Sequence, residues 1–195
     1  MSDVVYEDME NWLSRVMPQV ISCPREIALD ALQQICVDFF KETKIWTVKI
    51  TETLPANTTS FDLADVIDKG MELVDVKNVR INNVSCTAGD FVVEDKMIYF
   101  HNISNAQSSL TIDLILRPGR YCILVPAKIM EEYGDTIVYG TLAKLKSMSG
   151  QGDTIQWSDP ETAKMLFELY VDGLNRAKMR AFVLDGYRIV KPTWR

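Results

Sequence analysis

The apolar residues of this chain change their spacing twice. They recur at threes and fours up to about residue 43, alternate singly between about 45 and 120, and return to threes and fours beyond 126. A period near 3.6 gathers apolar groups on one side of a helix, and a period of two gathers them on one side of a strand. A chain patterned helix, strand, helix can be neither all helical nor all β. The expectation is an α+β protein.

The first stretch, 4–17, carries Val5, Met9, Trp12, Leu13 and Val16 at helical spacing, and Pro18 interrupts it. A second helix is predicted from Pro24, a residue suited to a first turn, to Thr43. Its buried stripe is Ile27, Ala28, Ala31, Leu32, Ile35, Cys36 and Phe39. Trp46, Val48 and Ile50 then alternate with Thr47, Lys49 and Thr51, as in a half-buried strand. A valine-rich strand follows over 71–84, with a bend or bulge expected at Lys77-Asn78 and turn residues at Asn82-Asn83. Phe91 to Val93 and Met97 to Phe100 read as a hairpin. Leu110, Ile112, Leu114 and Leu116 mark one more strand, ended by Pro118-Gly119.

Helix resumes after Pro126 with Ile129, Met130, Tyr133, Ile137, Leu142 and Leu145. Gly134 and Gly140 lie inside that stripe, and each costs about 1 kcal/mol against alanine. They imply either close helix approach or a break, and a short helix followed by a longer one from about Asp135 is expected. Ser158-Asp159-Pro160-Glu161 is the best helix start in the chain. The helix it opens, reaching about Leu184, would be roughly 37 Å long. Trp157 precedes it and is expected to staple onto its first turn.

These elements predict a helical bundle of N- and C-terminal helices (1–44 and 121–186), an inserted antiparallel β module (45–120) and an extended C-terminal arm (187–195). Trp194 lies in that arm with Arg188, Lys191 and Arg195 and has little local structure to bury it. Aromatic and arginine residues of this kind are common anchors at protein interfaces.

The chain carries a formal net charge of −6 and no dense Lys/Arg run, which argues against a tight grip on nucleic acid. No apolar run approaches the roughly 20 residues that span a bilayer, and the acidic start MSDVVYEDMENW is unlike a secretory signal. A soluble intracellular protein is expected. Cys23, Cys36, Cys86 and Cys122 lack CxxC spacing and read as reduced, mostly buried thiols.

Catalytic signals are sparse. The only histidine, His101, follows a strand and reads as a surface loop residue. The acids Glu131-Glu132, Asp62, Asp65, Asp68 and Glu94-Asp95 read as solvated faces, and the 62–68 run lacks the glycine and closing glutamate of a calcium loop. Gly150-Gln-Gly152 is not a phosphate loop, since no Lys-Ser/Thr follows. No catalytic residue, cofactor or metal is assigned, and the protein is expected not to be an enzyme.

The order of signals resembles that of the head-to-tail adaptor, or tubular-tail-protein-A-like, family of tailed bacteriophages. The likeness rests on the Trp46-led strand after an aromatic helix end, on Arg117-Pro118 closing the β insertion, and on Pro126 leading into Ile129, Glu132, Tyr133 and Ile137. Gly140, Leu142 and Leu145 follow, then Trp157-Ser-Asp159-Pro160-Glu161-Thr-Ala163 and Phe167-Glu168. It covers about 25–185, and order and spacing carry it, since none of the motifs is a catalytic signature.

The resemblance implies a virion protein of the neck or tail, assembled in the host cytoplasm. It would form a homo-oligomeric ring, usually a dodecamer, between the portal protein and a downstream tail or nozzle protein. Double-stranded DNA would pass through the channel without sequence-specific binding, and no membrane is involved. The arm would dock on the portal, with Tyr187, Arg188, Lys191, Trp194 and Arg195 as candidate contacts. The alternatives are a tail-completion or terminator protein and, less favoured, a cell-wall hydrolase using paired acids such as Glu131 and Glu132.

Overall fold

The computed structural model describes residues 4–87, 89–101, 105–148 and 156–184. In chain order its elements are β1 (Tyr6–Asp8), α1 (Leu13–Val16), α2 (Arg25–Thr43), β2 (Thr47–Leu54), β3 (Ser60–Asp62), β4 (Met71–Ile81) and β5 (Val84–Ser85). Then follow β6 (Phe91–Glu94), β7 (Met97–Phe100), β8 (Ser108–Pro118), β9 (Leu124–Pro126), α3 (Ala127–Lys146) and α4 (Pro160–Leu184). Helices combined with antiparallel sheets make it an α+β protein.

Strand β8 organises the largest sheet, whose order is β2-β8-β4-β5. Its alternating residues Leu110, Ile112, Leu114 and Leu116 are all buried, and Thr111 and Ile115 on the opposite face are buried too. Helix α2 packs on this strand. The β4–β8 ladder shifts register between Val76 and Asn78, the expected bulge, and again between Leu73 and Asp75. The smaller sheet has the order β3-β7-β6.

Both tight hairpins turn on two residues with positive φ. Asn82 and Asn83 sit at 52° and 64° between β4 and β5, and Asp95 and Lys96 at 47° and 68° between β6 and β7. Such turns match the right-handed twist of paired strands, and Asn and Asp tolerate them best. At the end of α2, Lys44 adopts the left-handed cap (φ 52°), and its N–H donates to the Phe40 carbonyl at 3.1 Å.

The N-terminus differs from expectation. In place of one helix over 4–17, β1 pairs antiparallel with β9, matching Glu7 to Val125. A 3₁₀ turn over Met9–Trp12, the single turn of α1 and a second 3₁₀ turn over Met17–Gln19 follow. The Asp8 carboxylate accepts from the Glu10 N–H at 2.8 Å, so the helical spiral starts there and not at Val5. The helical spacing holds from that point, because Met9, Leu13, Val16 and Val20 are buried whereas Val5 is exposed.

Helix α3 is continuous, against the expected break near Asp135. Its glycines permit close approach. A Cβ on Gly134 would overlap the Trp12 ring, and one on Gly140 would meet Tyr170 at 2.7 Å and Ile35 at 2.8 Å. Helix α4 runs antiparallel to α3: Lys146 lies by Asp159, Gly140 by Tyr170, Thr136 by Gly173 and Glu132 by Arg180. One buried cluster runs through all these layers, from Leu13 and Phe39 to Ile112, Ile137 and Tyr170.

Candidate interaction surface

Helix α4 begins as its sequence predicts. The Asp159 carboxylate accepts from the Thr162 N–H at 3.1 Å. Hydrogen bonds from Thr162, first its side chain and then its backbone, hold that carboxyl below the usual aspartate range. The Asp159 N–H donates to the Lys146 carbonyl at 2.9 Å and so ties the helix to the end of α3. Trp157 stands two residues before the Asp159 cap and lines a cleft with Pro18, Gln19, Ile21, Lys146 and Asp159, and its buried indole N–H has no acceptor among the described residues.

The stripe that α4 buries is Ala163, Leu166, Tyr170, Gly173 and Ala177. Outside it, Met165, Phe167, Leu169, Met179 and Val183 stay largely exposed. A helix that is apolar on several sides is normally covered on several sides. Beside Phe167 a groove of about 470 Å³ opens among α2, α3 and α4, lined by Ile35, Gly140, Ala143, Lys144, Ala163 and Lys164. Lys144 donates to the Gln34 side-chain oxygen. Burial, then the nearby Asp38 and Glu42 carboxylates, push the Tyr170 phenol up to about 12, so its hydroxyl is neutral at any physiological pH.

Exposed apolar side chains also occur around the β1–β9 pair, at Val5, Tyr121 and Leu124. Arg120 lies 5.8 Å from the Tyr121 ring centre. These side chains and the groove sit at opposite ends of α3, since β9 feeds directly into Ala127 and the groove is built at Ala143. At 1.5 Å per residue that separation is about 24 Å.

Of the acids singled out in the sequence, Asp62 and Glu94 both pair with Met97, from either side of it in the β3-β7-β6 sheet. Glu131 is exposed, and Glu132 is engaged with Arg180. Asp62 caps a short turn by accepting from the Ala64 N–H at 2.8 Å. Asp68 accepts from the Tyr6 hydroxyl at 2.9 Å, and burial followed by this bond raises the Tyr6 phenol to about 12. His101 is exposed, and its N–H donates to the Asp90 carbonyl at 2.9 Å. Among the described residues no three His, Cys, Asp or Glu side chains are grouped to hold a metal ion, and no helix is long and apolar enough to cross a membrane.

Cys23 and Cys36 are buried, and Cys86 and Cys122 partly so; all four thiols are free. Burial raises the Cys36 thiol well above its ordinary value, which keeps it protonated and inert. Trp46 is buried edge-on to Phe40, with ring centres 5.5 Å apart. The docking candidates Tyr187, Arg188, Lys191, Trp194 and Arg195 lie outside the described residues.

The sequence reading missed both exposed apolar regions. The exposed flanks of α4 were visible in principle, because Met165, Leu169, Met179 and Val183 fall off its buried stripe. The β1–β9 region had no local signal, since its strands are only three residues long. No family model matches the chain, and no curated protein matches it at a significant level.

Proposed function

We propose that the protein is a structural virion component of a tailed phage, a head-to-tail adaptor that forms a ring between the portal and the tail. The observation that carries this reading is exposed apolar side chains at both ends of α3, at the α3–α4 groove and around β1–β9. A closed ring needs a heterologous contact, in which one patch of a protomer meets a different patch of its neighbour. Exposed apolar area of this kind marks protein interfaces more often than ligand chemistry. The sequence resemblance over 25–185 points the same way.

In this reading α2, α3 and α4 are the bundle that builds the ring wall, and β2 to β8 are an inserted module offered to the next tail component. The arm, 187–195, anchors the ring to the portal through Tyr187, Arg188, Lys191, Trp194 and Arg195. DNA passes a wall whose net charge of −6 per subunit does not trap phosphates. The protein works by assembly and carries out no bond chemistry.

The test is to mix the purified protein with the portal of the same phage and examine the product by sedimentation and negative-stain imaging. A ring-on-ring particle that is lost when 187–195 is removed supports the adaptor and its arm. An intact portal that recruits nothing refutes the adaptor reading, and binding to the tail tube would then favour a tail-completion role.

A further inference from the structure

Helix α4 carries a second repeat on its outer side. Met165, Leu169, Asp172, Arg176, Met179 and Val183 are spaced four, three, four, three and four residues apart. This is the spacing of a coiled-coil seam, and it covers about 27 Å of helix. The seam is open to solvent: Met165 is 57% exposed, Leu169 45%, Met179 70% and Val183 71%. The side chains of Asp172 and Arg176 are 70% and 71% exposed, and their charged atoms lie 3.4 Å apart. None of the six belongs to the stripe packed in the core.

The order along this seam is apolar, apolar, acid, base, apolar, apolar, which is complementary to its own reverse. Two such helices laid antiparallel about a two-fold axis level with Leu174 set Met165 opposite Val183 and Leu169 opposite Met179. The same arrangement sets Asp172 of each copy opposite Arg176 of the other. Laid parallel, the helices would set acid against acid and base against base. We infer that α4 docks antiparallel on α4 of a second copy of this chain, giving a two-fold dimer whose register is fixed by two Asp172–Arg176 pairs.

The apolar side chains of the seam expose on the order of 400 Å² per copy, as large as the apolar patches that mark binding sites on monomers. With the polar pairs the contact totals roughly 1,000 Å², the low end for a specific interface, which fits micromolar association. A two-fold contact closes on itself and cannot propagate round a ring. The dimer is therefore a state of the free protein, and it stands whether or not the protein is an adaptor.

The experiment is sedimentation equilibrium of the full chain, without portal, over about 1–100 μM, a range chosen for such an interface. Wild type should dimerise. Asp172→Arg and Arg176→Asp, both at exposed positions, should each weaken dimerisation at least ten-fold while leaving the circular dichroism unchanged. An equimolar mixture of the two variants should dimerise as wild type does, because each facing pair again joins acid to base; the double exchange within one chain should do the same. A wild-type chain that stays monomeric across the range overturns the inference. So does self-association of any size that is indifferent to both reversals, or a mixture no tighter than its components.

Discussion

Replacing Gly134 with alanine should destabilise this protein, although alanine is the better helix former. At an open helical position the exchange gains about 1 kcal/mol. Here the new Cβ would overlap the six-membered ring of Trp12. That ring is held from two directions. Its indole N–H donates to the Glu7 carboxylate at 3.0 Å, and the Arg15 guanidinium lies 4.4 Å from the ring centre. Moving the ring aside weakens a hydrogen bond to a charged group, about 1.5 kcal/mol, and a cation–π contact, about 0.5–1 kcal/mol. Overpacking of this kind costs about 1–3 kcal/mol in general. Set against the gain in helix propensity, the net loss should be about 1–2 kcal/mol, or roughly 2–8 °C in melting temperature for a chain of this length. Urea or thermal unfolding followed by circular dichroism measures it. The decisive arm is the same exchange in a Trp12→Ala background, where the overlap is gone and Gly134→Ala should stabilise by up to about 1 kcal/mol. If Gly134→Ala proves as stable as wild type, or if the effect keeps its sign when Trp12 is removed, the close-approach reasoning is refuted.

Removing 187–195 should abolish association with the portal while leaving the melting temperature within about 1 °C of wild type, a change of a few tenths of a kcal/mol; co-sedimentation and thermal unfolding read the two effects separately. Because the Tyr170 phenol titrates near 12 in the folded protein and at 10.0 when unperturbed, the unfolded chain releases its proton first. Stability from this group is therefore intact below pH 10 and lost as the pH rises towards 12, by about 2 kcal/mol, and Tyr170→Phe should flatten that part of the pH–stability profile. Trp46→Phe should cost little, within about 1 kcal/mol, because the lost indole area is offset by removal of a buried N–H that has no acceptor. Phe40→Ala, emptying the same packed cluster, should instead cost about 3–5 kcal/mol by chemical denaturation.

Much of this protein is legible in its sequence because much of it is locally encoded. The stripe predicted from Ile27 to Phe39, of which Ile27 alone proves exposed, and the Asp159-Pro160 start define α2 and α4 closely, since spacing and capping act within a few residues. Asn82-Asn83 marks its hairpin for the same reason, as the turn itself requires positive φ. The three leucines and one isoleucine that alternate along β8 announce a buried strand, though not that it would be central.

What the tertiary structure alone decides are contacts between residues far apart in the chain. Glu7 pairs with Val125 across 118 positions, and no three-residue strand carries enough pattern to announce such a partner. Trp12 covers Gly134 in the same way, which turns an apparent helix breaker into a point of close packing. The outer repeat of α4 belongs to both levels. Its spacing from Met165 to Val183 is written in the sequence, but spacing cannot say which of two apolar stripes faces the core. Packing against α3 makes that choice: it buries Tyr170 and Ala177 and leaves the Met165–Val183 seam to the solvent, because a single helix can press only one side against its neighbours.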